Sequence, residues 1–162
     1  MITTQLMTNE RKRVLAVSVA SGKMAYVFLI DGRLKDWHCS RAASLSPPKG
    51  RSLLRKAVAR LEPDLVVSED PFKPTRKYGS SKEILHALAQ ELMDSATPHR
   101  LVQRDQQFAN KYDEAQAIAK RFPGITPWLP KTPKIWEAEP VSAIYFEALS
   151  MAALIVDGGH SR

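Results

Sequence analysis

The chain has 162 residues, 44% hydrophobic and 25% charged, with a net charge of +7 at neutral pH. That describes one globular domain able to bury about two-thirds of its unfolded surface, and the single cysteine, Cys39, excludes an intrachain disulfide and points to a reducing, cytoplasmic setting. The apolar runs 24–30 and 148–156 are too short to cross a bilayer and residues 1–13 hold no signal-peptide core, so no membrane partner is expected, and the basic balance favours polyanions.

In chain order, a polar, flexible tail is expected over 1–10, then a single domain over 11–157 and a flexible end over 158–162. Apolar runs predict strands over 14–20 and 24–30, joined by a tight turn at Ser21-Gly22. Asp31-Gly32 turns the chain into a third strand over 34–39, completing a meander. Pro47 and Pro48 open an amphipathic helix reaching 61, with Leu53, Leu54, Val58 and Leu61 on its inner stripe. Its cations Lys49, Arg51, Arg55, Lys56 and Arg60 read as a solvated face. The β-branched run 65–69 predicts a buried strand. A helix follows over 80–95, carried by Ile84, Leu85, Leu88 and Leu92, then a short strand over 99–103 and a helix over 107–121. Prolines at 123, 127, 130, 133 and 140 predict a loop, with Trp128, Lys131, Lys134 and Trp136 among them. The last helix, 140–156, is apolar on nearly every side and should be buried. This order predicts an α/β protein: a mixed five-stranded sheet, three antiparallel meander strands plus two parallel strands, flanked by helices.

The strand at 65–69 ends in Glu69, Asp70 and Pro71. A buried strand that delivers acids at its C-terminal end is a common way to build a polar site, although a solvated turn explains the same residues. Glu147 shares a helical face with Ala143, Ile144, Met151 and Leu154, where a carboxylate needs a metal or a hydrogen-bonding partner unless it sits at the helix edge. Lys73, Arg76, Lys77 and Lys82, interleaved with Phe72 and Tyr78, suit a phosphate backbone with bases stacked beside it. Asp113-Glu114 reads as solvated, and Glu137 and Glu139 complement a helix N-terminus. The four histidines lack ligand spacing, and no GxxxxGK[ST] loop is present.

Three segments resemble RuvC-type Holliday-junction resolvases, within the ribonuclease H-like superfamily. VLAVSVASGKMAYVFL, at 14–29, is similar to the family's first hairpin; the stretch from Pro63-Asp64 through Glu69 to Phe72 is similar to its second acidic strand; and YFEALSMAA, at 145–153, is similar to its closing helix. The resemblance implies a metal-dependent endonuclease on branched or structured nucleic acid, DNA ahead of RNA, with Mg or Mn held by Glu69 and Glu147. It implies further roles at the site for Ser18, Asp70 and Lys134, and contacts to nucleic acid from Lys73, Arg76, Lys77, Tyr78, Lys82 and Lys131, with a homodimer left open. One departure is large. Where the family has its first aspartate, this chain has Ser18, followed by Val19-Ala20 in place of Pro-Gly. Two ions held close together need bridging carboxylates against their mutual repulsion, and a hydroxyl is a poor substitute. A degenerate module that keeps the fold and binds nucleic acid or protein without cutting therefore stands beside the nuclease.

Overall fold

The computed structural model describes residues 12–75, 77–103, 111–129 and 143–160. Five strands, β1 (Arg13–Ala20), β2 (Lys23–Ile30), β3 (Arg33–Ser40), β4 (Leu65–Glu69) and β5 (His99–Val102), form one sheet in the order β3-β2-β1-β4-β5. The first three pair antiparallel, while β4 and β5 run parallel to β1. Among the described residues four helices flank the sheet: α1 (Pro47–Leu61), α2 (Gly79–Asp94), α3 (Lys111–Arg121) and α4 (Ala143–His160). This is the expected mixed sheet, with the expected element order.

Local chemistry accounts for the boundaries. Asp31 and Gly32 both adopt positive φ, 54° and 77°, as a two-residue hairpin turn requires. The Asp31 carboxylate accepts the Lys12 amide at 2.9 Å and ties the turn back to the start of β1. Ser46 caps α1 by accepting the Lys49 amide, and Pro47 and Pro48 occupy the positions whose amides would be orphaned in any case. At the far end Arg13 donates from Nε to the carbonyls of Leu61 and Glu62, both at 3.1 Å, while its guanidinium lies 5.2 Å from the Phe28 ring centre. One side chain of β1 thus closes α1 and caps a ring of the sheet.

The sheet is buried on both faces, so its central strands read as nearly continuous apolar runs. Leu15, Val17, Val19, Met24, Tyr26, Phe28 and Val66 face the layer of α1 and α2. Val14, Ala16, Val27, Leu29 and Val67 face the layer of α3 and α4. The inner stripe of α1 is Gly50, Leu54, Ala57 and Leu61, with Leu53 and Val58 only partly buried, a rotation of about one residue from the expected stripe. Gly50 causes it: a Cβ there would lie 3.0 Å from Ile84 Cγ2 and 3.3 Å from the Ala43 carbonyl, so the absence of a side chain lets α1 approach α2.

The charged residues of the helices are not all simply solvated. Arg51 and Arg55 of α1 reach Glu91 on α2, at 3.1 Å and 2.8 Å, and Arg51 also reaches Asp94 at 3.2 Å. Arg60 contacts Asp36 and the Tyr26 hydroxyl. On α3, Asp113 is exposed as expected, whereas Glu114 is buried. Residues 123–128, expected as loop, form a short 3-10 helix despite two prolines. Its bonds run from the amides of Ile125 and Leu129, so no proline nitrogen has to donate. The end of this segment packs back on the sheet, Trp128 standing edge-on to Trp37 with ring centres 4.9 Å apart. No helix among the described residues is long and apolar enough to cross a membrane.

Candidate functional site

One row of residues crosses the sheet beneath α4. Ser18 pairs with Ala25, Ala25 with Cys39, and Glu69 with Val102. The parallel register of β1 and β4, Val14 with Leu65 through Ala16 with Val67, sets Ser18 beside Glu69 when carried two residues further. Side chains alternate along a strand, so Ser18 and Glu69 share the face of Ala16 and Val67, the face that α4 covers. Both are buried, Ser18 to 1% exposure and Glu69 to 6%.

The loop after β4 supplies the partners. Glu69 accepts a hydrogen bond from the Thr75 hydroxyl, and that oxygen in turn accepts the Lys77 amide at 3.1 Å. The Lys77 ammonium then lies 2.8 Å from Oε1 of Glu147 on α4, with both side chains largely buried. A short stretch of chain thus answers both acids, one with a hydroxyl and the other with a cation. Ser18 and Glu69 share a row, and Glu69 and Glu147 are linked through Thr75 and Lys77.

The remaining candidates separate. Asp70 follows Glu69 on the strand, and its carboxylate accepts the Phe72 amide at 2.9 Å, an Asx turn that redirects the chain at Pro71. Phe72 lies edge-on to His86 of α2, ring centres 5.0 Å apart. Lys73, Tyr78 and Lys82 are exposed, Tyr78 to 85%. Lys77, grouped with them by sequence, turns inward instead, because a carboxylate in a desolvated layer attracts it more than water does. Arg76, Lys131 and Lys134 lie outside the described residues. Thr75 was not singled out from sequence. The available signal was a hydroxyl six residues past a buried acid, in a loop that Pro71 and Pro74 force to turn. At the other end of the row, burial pushes the Cys39 thiol up against the opposing pull of Lys23 and Arg41.

These residues do not fit a two-ion centre. Among the described residues no group of three or more His, Cys, Asp or Glu could hold a metal. Ser18, beside Glu69 in the row, brings no charge to it, and the Lys77 ammonium already sits on Glu147. A unit positive charge about 4 Å from a divalent ion repels it by roughly 8 kcal/mol at an effective dielectric near 20, a gross term that hydration reduces without reversing.

The sheet order, the parallel β1–β4–β5 half and the closing helix over the acidic row define a ribonuclease H-like fold. Within it, the chain is similar to the Thermus thermophilus RuvC structure, at 14% identity and a TM-score of 0.54, covering 90% of this chain and 96% of that one. It is similar to T. thermophilus RuvC in complex with a Holliday junction substrate, at 14% identity and a TM-score of 0.58, covering 91% and 96%. The fowlpox virus resolvase bound to substrate Holliday junction DNA matches at 16% identity and a TM-score of 0.50, covering 92% and 99%. No protein-family model and no curated protein matches the sequence. At these identities the likeness is one of fold.

Proposed function

We propose that this protein binds branched or structured DNA through a resolvase-like scaffold without hydrolysing it. The observation that carries the reading is the Lys77–Glu147 ion pair: a cation of the protein itself lies 2.8 Å from one of the two candidate acids, in the layer that also buries Ser18 and Glu69. Binding is supported by the exposed edge next to it. Lys73 and Tyr78 precede α2 and Lys82 lies in its first turn, all three exposed; that turn has no acid and its N-cap residue makes no side-chain cap. Amides and lysines at a helix start suit phosphate, and an exposed tyrosine suits a base. The fold neighbours solved with Holliday junction DNA make a four-way junction the first substrate to try. A metal-dependent endonuclease remains the second reading, favoured by the retention of Glu69 and Glu147 on one face.

Fluorescence anisotropy with a labelled four-way junction tests the proposal. Affinity should fall steeply with salt, and Lys73→Glu with Lys82→Glu should lower the slope of log affinity against log salt by about one for each phosphate that is no longer neutralised. No association with any DNA at low salt would remove nucleic acid as the partner.

A further inference from the structure

We propose that Lys77 is a built-in countercation: its ammonium balances the acids as a divalent ion would, so that Glu69 and Glu147 fasten the loop between β4 and α2 and do not hold metal. This rests on the non-hydrolytic reading above and adds what the acids do instead.

The loop is held at both ends and in the middle. At its start the Asp70 amide donates to the Val102 carbonyl at 2.8 Å, and the Asp70 carboxylate accepts from Phe72. In its middle the Gln103 amide reaches the Pro74 carbonyl at 3.4 Å, and Thr75 donates to Glu69. At its end Lys77 joins Glu147 on a different layer of the fold, over 2.8 Å. Lysine suits this position. Its methylene stem can lie along the apolar layer that α4 presents, while its compact cation offers three donors to buried oxygens. A magnesium ion demands near-octahedral oxygen coordination, which a hydroxyl, an ammonium and two already engaged acids do not supply. Ser18 completes the balance: a carboxylate there would set three negative charges against one cation, whereas serine leaves two, one of them answered by Thr75. Lys77 is therefore a positioning residue that sets the neighbouring Tyr78 and the start of α2 in place.

Calorimetric titration with Mn²⁺, thermal unfolding with and without Mn²⁺, and amide exchange, all on the full chain, test this. Wild type should show no saturable Mn²⁺ uptake and the same melting temperature in Mn²⁺ and in chelator. Lys77→Met should speed amide exchange across 72–78 by about tenfold or more while leaving exchange in the β1–β2 hairpin unchanged. Ser18→Asp combined with Lys77→Met should take up Mn²⁺ and gain melting temperature with it. Should that double variant fail to fold, wild type and Lys77→Met still decide the matter. Saturable Mn²⁺ uptake by wild type that Glu69→Gln or Glu147→Gln abolishes would overturn the proposal, as would unchanged exchange in Lys77→Met. Absence of DNA binding by a wild type that also ignores Mn²⁺ would overturn the nucleic-acid reading alone and leave the role of Lys77 standing.

Discussion

A buried carboxylate on an apolar helix layer is tolerable only when partnered, and the Lys77 ammonium, 2.8 Å away, is a partner of Glu147 in this fold. Removing one member leaves the other without this ion pair in a largely buried setting, so Lys77→Met or Glu147→Gln alone should cost on the order of 3 kcal/mol, measured by denaturant unfolding. Lys77→Met with Glu147→Leu should recover much of that loss, since a matched apolar pair strands no charge. Equal, additive losses would mean that the two side chains do not interact. Ser18 behaves differently. Its hydroxyl is buried with no hydrogen-bond partner among the described residues, so Ser18→Ala should be neutral or stabilising by up to about 1 kcal/mol. The acids were visible in sequence because each interrupts an apolar pattern, Glu69 at the end of a β-branched run and Glu147 within an apolar helix. Lys77 was not, because a lysine in a basic loop looks like any solvated cation, and its partner lies 70 residues away.

At the scale of elements, α1 and α2 are joined by close approach and by charge. Gly50 permits the approach, and Gly50→Leu should overpack against Ile84 and the Ala43 carbonyl, destabilising the fold by about 1–3 kcal/mol with the element order intact. Across the same interface, hydrogen bonds from Arg55 foremost, and from Arg51, hold the Glu91 carboxyl below its ordinary value of 4.5 against the upward push of burial. A carboxyl depressed in the folded state contributes stability that is fully present above its unfolded value and lost as pH falls through its folded one. Wild type should therefore lose stability below about pH 4.5, and Glu91→Gln should flatten that limb while lowering stability at neutral pH. An unchanged acid limb in Glu91→Gln would show that other groups dominate. Helix periodicity revealed the α2 stripe, since Ile84, Leu85, Leu88 and Leu92 repeat at helical spacing and are all buried, and placed the α1 stripe one residue off. It did not reveal the crossing, because a single glycine in a helix pattern carries no indication of what approaches it.

For the molecule as a whole, the fold was the most legible feature. Two glycine-containing turns define the meander, paired prolines start α1, and the apolar run of β4 is too short for a helix and too continuous for a half-exposed strand. Each signal is local, and the rule that parallel strands are joined by helical crossovers converts them into a mixed sheet flanked by helices. What the scaffold does at its acidic row is not local: it depends on groups from β1, β4, the following loop and α4 meeting in space. A labelled four-way junction mixed with the protein at low salt, once with Mg²⁺ and once with chelator, with anisotropy and strand length read from the same sample, tests the central claim most directly. Equal anisotropy in the two conditions with every strand intact is the predicted result. Incision that requires Mg²⁺ and disappears in Glu69→Gln would contradict it.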